Sequence, residues 1–275
     1  MPAHSFQKLI EGRHHPLVKM LRRMVRTQEL LSDGLVLLET VRLIEDARSS
    51  GAAIRRVFVS IDSMARYQGL LQKLPAETEF FQLAPKVFDT LVTTQTSQGI
   101  LALADEPHWA TEDLFASMPL ILVLAGIQDP GNLGTILRTA EAFAATGVVL
   151  TPGTVSPYNA KALRATAGAL FRLPLLRGLT TVEALSLLQQ YQVRIFASVA
   201  KEGKPLPEVN FAEPTAVVLG SEGQGLPEEW RRAAEPLTIP MAPAVESLNV
   251  AAAAAVILYE ITRQRAIRKP INFAG

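Results

Sequence analysis

Three stretches of this 275-residue chain combine residue types and spacings that could hold a ligand. The first runs Gln128-Asp129-Pro130-Gly131-Asn132-Leu133-Gly134 and continues through Arg138 to Glu141. It follows an apolar run, Leu120–Ala125, and opens a helical one. Asp-Pro-Gly makes the turn. Asn132 then stands at a helix mouth, where unpaired main-chain N–H groups point outward. It is either an N-cap or a ligand contact. Arg138, about two turns in, is either a working cation or a surface partner for Glu141 at i+3.

The second stretch is Leu219-Gly220-Ser221-Glu222-Gly223-Gln224-Gly225-Leu226-Pro227. Its glycines lie just past an apolar strand, where ligands of open α/β sheets sit. Glycine there lets main chain approach a ligand closely; a plain strand-to-helix turn is the alternative. The spacing is neither G-x-G-x-x-G nor G-x-x-x-x-G-K-[ST], so no dinucleotide fingerprint or phosphate loop is present. The third stretch is Ile239-Pro240-Met241-Ala242-Pro243-Ala244-Val245-Glu246-Ser247-Leu248-Asn249-Val250. Two prolines stiffen a loop, and Ser247 or Asn249 caps the helix that follows.

No histidine lies in these stretches, and the chain has no cysteine. An imidazole base, a thiolate nucleophile and a thiolate metal site are therefore not expected there. No His/Asp/Glu cluster has metal-ligand spacing, so no metal is expected. Lack of cysteine fits a reducing cytoplasm. The first residues carry no apolar leader. The longest apolar run, Val250–Tyr259, is far below the roughly 20 residues that span a bilayer. A cytoplasmic protein without a membrane partner is expected.

The elements that must position these stretches alternate. Strands are expected at 34–38, 54–60, 79–83 and 99–104, with helices at 13–31, 40–48, 62–74 and 85–92. A second α/β pattern begins at Leu120, with helices at 131–145, 159–168, 181–191, 227–234 and 248–267. Its strands are 120–125, 148–150, 193–199, 216–219 and 237–239. Residues 105–118, rich in acids and bounded by prolines, read as a linker with one helical turn inside. The expected domains are 1–104, the linker 105–118, and 119–275.

Net charge is only +1, but its distribution is uneven. Residues 1–26 hold Lys8, Arg13, Lys19, Arg22, Arg23 and Arg26 against Glu11 alone. Residues 263–269 add Arg263, Arg265, Arg268 and Lys269 with no acid. Two basic ends suit either a phosphate footprint or simple solubility.

Together and in this order, the three stretches resemble the signature motifs of the SpoU (TrmH) family of RNA ribose 2′-O-methyltransferases, within the SPOUT class. HHPLVKMLRRM (14–24), VLLETVRLIEDA (36–47) and TSQGILAL (96–103) resemble that family's substrate-binding domain, which is similar to RNA-binding ribosomal proteins. GTVSPYNAKALRATAGALFRLPL (153–175) is also family-like. Thr40 and Pro243 stand where family members often have glycine.

The resemblance implies an α/β SPOUT domain with a trefoil knot, preceded by a small α/β RNA substrate-binding domain. It implies S-adenosylmethionine (AdoMet) as cofactor, held by Gly220, Ile239, Met241, Ser247 and Leu248. It assigns catalytic roles to Asn132, Arg138, Glu222, Ser247 and Asn249, and RNA contacts to Lys19, Arg22, Arg23 and Arg26. The implied reaction is methylation of a ribose 2′-hydroxyl in structured RNA, with ribosomal RNA favoured, by a homodimer. A tRNA enzyme, an inactive RNA-binding relative and a nucleotide-binding oxidoreductase are the rival readings.

Overall fold

The computed structural model describes residues 7–27, 30, 33–91, 98–221, 223 and 225–268. Two compact units are present. One gathers the described residues of Met1–His108 with Tyr158–Phe171; the other gathers those of Trp109–Pro157 and Arg172–Gly275.

In the first unit, short apolar runs alternate with amphipathic helices. The elements are β1 (Gln7–Ile10), α1 (Pro16–Thr27), β2 (Leu35–Leu38), α2 (Val41–Ser49) and β3 (Ile54–Ser60). They continue with α3 (Met64–Leu71), β4 (Glu79–Leu83), α4 (Pro85–Phe88) and β5 (Ile100–Asp105). The sheet order is β1-β4-β3-β5-β2. β1, β4 and β3 are parallel, and β5 runs antiparallel to both β3 and β2. On α1, Val18, Leu21 and Met24 are buried, and Lys19, Arg23 and Arg26 are exposed. Thr40, the departure from family glycine, caps α2, its hydroxyl accepting from Leu43 N at 3.2 Å.

The second unit contains β6 (Leu120–Ala125), α5 (Pro130–Ala142) and β7 (Gly147–Leu150). The chain then supplies α6 (Ala160–Thr166) to the first unit before returning. There follow β8 (Leu175–Arg177), α7 (Thr181–Gln190), β9 (Arg194–Ser198), β10 (Lys204–Pro205) and β11 (Thr215–Gly220). Last come α8 (Glu228–Ala233), β12 (Glu235–Thr238) and α9 (Val250–Arg268). Seven strands form one sheet in the order β10-β12-β9-β11-β6-β7-β8, and every pairing is parallel. All six residues of β6 are buried, as in a sheet covered on both faces.

Register decides where the loops emerge. Gly220 of β11 pairs with Ala125 of β6, and Leu124 of β6 pairs with Leu150 of β7. Ala197 of β9 stands beside Val218 of β11. The carboxyl ends of four strands therefore lie along one edge of the sheet.

Three expectations are corrected. The strands β1, β8 and β10 add to those expected, because runs of two to four residues carry no readable period. Residues 105–118 are not a free connection: Asp105 closes β5, and Leu114 is fully buried in the second unit's core, beside Phe115 stacked on Tyr191 at 3.7 Å. Residues 158–171 lie with the first unit. There Arg164 pairs with Glu39 at 3.0 Å and the Tyr158 hydroxyl donates to Glu106 at 2.6 Å.

The described part of the C-terminal basic run is used within the fold. Arg263 pairs with Glu260 at 2.7 Å. Arg265 donates to four main-chain carbonyls, those of Phe211, Met118, Pro119 and Glu213, at 2.9–3.2 Å. Burial lowers its pKa to about 10, so it remains a cation at neutral pH. Lys269 lies outside the described residues, as does the side chain of Arg268. Among the described residues, no helix is long and apolar enough to cross a membrane, and no cluster of acids and histidines could hold a metal ion.

Candidate active site

The aligned strand ends bring the three stretches together in the second unit. After β6, the Asp129 carboxylate accepts from Asn132 N at 2.8 Å and caps α5. Asn132 is thus not the N-cap. It sits in the first helical turn, and its side-chain Oδ1 accepts from Asn249 Nδ2 at 3.1 Å. Asn249 caps α9: its Oδ1 accepts from the N–H of Ala251 and Ala252 at 3.0 and 3.3 Å. Because Oδ1 serves the cap, Nδ2 is turned toward Asn132. One amide therefore joins the first stretch to the third.

The glycine stretch folds back on itself. Gly225 N donates to Ser221 O at 2.9 Å. A Cβ on Gly220 would lie 2.5 Å from the carbonyl group of Gly225 and 2.8 Å from Leu226 N. Only glycine fits, because both obstacles are main chain.

Beside this turn lies a cleft of about 180 Å³, lined by Gly220, Ile239, Met241, Ser247 and Leu248 among others. All five residues expected to hold the cofactor thus border one space. Ser198–Ala200, at the end of β9, form a further wall that sequence reasoning misses. The glycine cradle and the uncharged, mostly apolar lining suit an adenosine held by shape. Next to the cleft, a second cavity of about 240 Å³ is lined by Gln128, Asp129, Asn132, Ser221, Gly223 and Val250, with Ile127. Ser221 and Val250 border both spaces. The sequence reading gives Ser221 no role, although its place one residue past β11 marks it as a strand-end residue.

Arg138 is exposed on α5 and lines neither space. Its alternative as the partner of Glu141 is ruled out by Arg172, which holds the Glu141 carboxylate through Nε and, at 3.0 Å, through Nη2. Arg138 makes no hydrogen bond or ion pair among the described residues. Ser247 lines the cleft and is exposed. Glu222 lies outside the described residues. In the first unit, Arg22 donates to the Thr90 hydroxyl at 3.1 Å, which leaves Lys19, Arg23 and Arg26 as the exposed cations of α1.

The comparisons with known proteins match this arrangement. The family described as SpoU rRNA Methylase matches residues 119–259, and the MRM3-like substrate binding domain matches residues 15–102. An uncharacterised tRNA/rRNA methyltransferase of Synechocystis sp. is 34% identical over 259 residues, covering 93% of this chain and 94% of its own. The 23S rRNA (guanosine(2553)-2′-O)-methyltransferase RlmP of Bacillus subtilis is 29% identical over 259 residues, covering 92% and 99%. The crystal structure of an AdoMet-bound rRNA methyltransferase from Sinorhizobium meliloti superposes with a TM-score of 0.80 at 25% identity, covering 93% and 97%. The chain belongs to the SpoU rRNA methylase family.

Proposed function

We propose that this chain transfers a methyl group from S-adenosylmethionine to a ribose 2′-hydroxyl of ribosomal RNA. The observation that carries the reading is the Asn249–Asn132 bond beside the Gly220 cleft, which joins the cofactor walls to the second cavity. The rRNA substrate is supported by the names of the relatives, RlmP among them. Absence of cysteine fits action in the cytoplasm.

When bound, the cofactor supplies an electrophilic methyl group on a sulfonium. The protein's part is to align acceptor and methyl and to ease loss of the hydroxyl proton. Asn132 orients the acceptor, and Asn249 fixes the Asn132 amide. Arg138 has no partner among the described residues, so its charge is available to RNA. A guanidinium stays protonated, which makes it a poor base. Its fitting role is to stabilise a developing alkoxide or to grip the neighbouring phosphate. Glu222 and Ser247 belong to the same proposal, as positioning groups beside the turn and the third stretch.

In the first unit, Lys19, Arg23 and Arg26 would meet RNA phosphates, with Arg22 anchored beside them. Such contacts position RNA without reading sequence. A homodimer is part of the proposal. Its support is an exposed apolar face on α9, where Val256 is 41% and Tyr259 57% exposed beside Ala252. The knotted topology is also proposed; its support is β11 lying between β9 and β6 while β12 lies beyond β9.

Single-turnover methylation with saturating cofactor and RNA tests the central role of Arg138. Arg138→Ala is expected to slow the step by roughly 10²–10³. Arg138→Lys should retain part of the rate, because a cation remains. Wild-type rates in the alanine variant would remove Arg138 from the mechanism.

A further inference from the structure

A third cavity opens from the same sheet edge. Its volume is about 500 Å³, within the roughly 300–1,000 Å³ typical of small-ligand sites. It shares Gln128 and Ser221 with the second cavity, and Ser221, Gly225 and Leu226 with the cofactor cleft. Ser221, Gly225 and Leu226 thus stand between the cofactor cleft and this third cavity, and the Asn132 cavity borders both through Ser221. An acceptor ribose beside Asn132 carries a base on its C1′ atom, and that base needs a place of its own.

The walls suit a flat, uncharged ring. None of the described lining residues is charged. Gly126 and Gly153 lie side by side in its wall: a Cβ on Gly153 would come 3.9 Å from Gly126 Cα. Thr154 holds the two loops together, accepting from Gly126 N at 3.1 Å and donating to Leu124 O at 2.9 Å. The N-terminus of α7 borders the cavity, but its capping box is closed: the Thr180 hydroxyl accepts from Glu183 N at 3.3 Å, and the Glu183 carboxylate accepts from Thr180 N at 2.8 Å. An anion is therefore not favoured there. The hydroxyls of Thr151 and Thr180 are engaged, with Leu124 O and with Glu183. The Gln128 amide and the Thr181 hydroxyl make no hydrogen bond among the described residues.

We propose that this third cavity is the subsite for the base of the methyl-accepting nucleotide, read on its hydrogen-bonding edge by Gln128 and Thr181. The inference rests on the methyl-transfer reading. RNA recognition commonly splays a base out of its stack and bonds its edges, and an amide offers both a donor and an acceptor to do so. Gln128 is then a specificity-determining residue rather than a catalytic one.

The test is an NMR titration of the labelled full-length chain saturated with S-adenosylhomocysteine. The probes are guanosine, adenosine, cytidine and uridine at millimolar concentration, with inorganic phosphate as a separate probe. The Gln128 side-chain amide and the Gly153 amide should shift saturably with at least one nucleoside and not with phosphate. Gln128→Ala should weaken that binding about two- to tenfold, the worth of one hydrogen bond, with cofactor affinity unchanged. Shifts caused by phosphate instead, or no shift at these residues with any nucleoside, would overturn the subsite. Methyl transfer to rRNA is measured on a separate portion of the same preparation, given S-adenosylmethionine in place of S-adenosylhomocysteine. Nucleoside binding at Gln128 without methyl transfer would sink the proposed activity and leave the subsite standing. Methyl transfer with Gln128 and Gly153 unmoved would do the reverse.

Discussion

The Asn249 amide donates to the Asn132 carbonyl oxygen at 3.1 Å, although the two residues are 117 positions apart. Both stand at helix starts, and α5 and α9 pack together. The same Asn249 side chain caps α9 through its other atom. One residue therefore couples helix stability to the orientation of a proposed active-site amide, and substitutions can separate the two roles.

Asn249→Asp keeps a capping oxygen and loses the amide donor. Thermal stability should stay close to wild type, while methyl transfer falls about tenfold as Asn132 loses its fixed orientation. Asn249→Ala should lose activity and also about 0.5–2 kcal/mol of stability. Denaturation midpoints and single-turnover rates, taken together, check the separation. Full activity in the aspartate variant would show that the bond to Asn132 has no catalytic consequence.

Gly220→Ala places a methyl group 2.5 Å from the Gly225 carbonyl group, and that main chain has no rotamer with which to yield. The turn must open. Calorimetry should find S-adenosylmethionine binding lost or strongly weakened, with a stability cost of roughly 1–3 kcal/mol. Gly223→Ala, with nothing within 4 Å, serves as the control and should bind normally.

Glu39 should make stability depend on pH. Burial raises its pKa above the ordinary 4.5, and the charge of Arg164 offsets part of the rise. As pH climbs from 4.5, the unfolded chain loses this proton before the folded one does. The folded state then binds more protons, so stability falls with rising pH until the raised folded pKa is passed. Glu39→Gln should flatten that slope in denaturant titrations run from acid to neutral pH. An unchanged slope would assign it to other groups.

Arg265 gathers four carbonyls that no shorter or single-headed cation can reach at once. Arg265→Lys should cost roughly 2–3 kcal/mol, the worth of about one charged hydrogen bond, and leave methyl transfer per folded molecule unchanged. A fall in turnover without a fall in stability would mean that this arginine reaches RNA.

Much of this was legible in the residues. The range of β6 follows an unbroken apolar run, and those of β3 and β4 follow clusters of β-branched and aromatic residues. That Gly220, Ile239, Met241, Ser247 and Leu248 border one cleft follows from motif order, because the resemblance supplies long-range proximity that spacing cannot. Local rules go astray where two candidates compete: Asp129, rather than Asn132, caps α5, since a cap is decided by backbone angles at one residue. Long-range capture is invisible to them. Arg164 and Glu39 lie 125 positions apart, so nothing local reveals that 158–171 joins the first unit. Arg265 reads as a surface charge because sequence does not show which carbonyls a helix end will meet.

The central claim is methyl transfer to ribose by this site, and label tracing tests it most directly. The purified chain is incubated with methyl-labelled S-adenosylmethionine and rRNA transcribed without modifications, and the RNA is digested to nucleosides. The account predicts label in a 2′-O-methylated nucleoside with the wild-type chain, and little or none with Asn132→Ala, whose cofactor binding should persist. Label on a base, or no label on RNA from a chain that binds the cofactor, would contradict it.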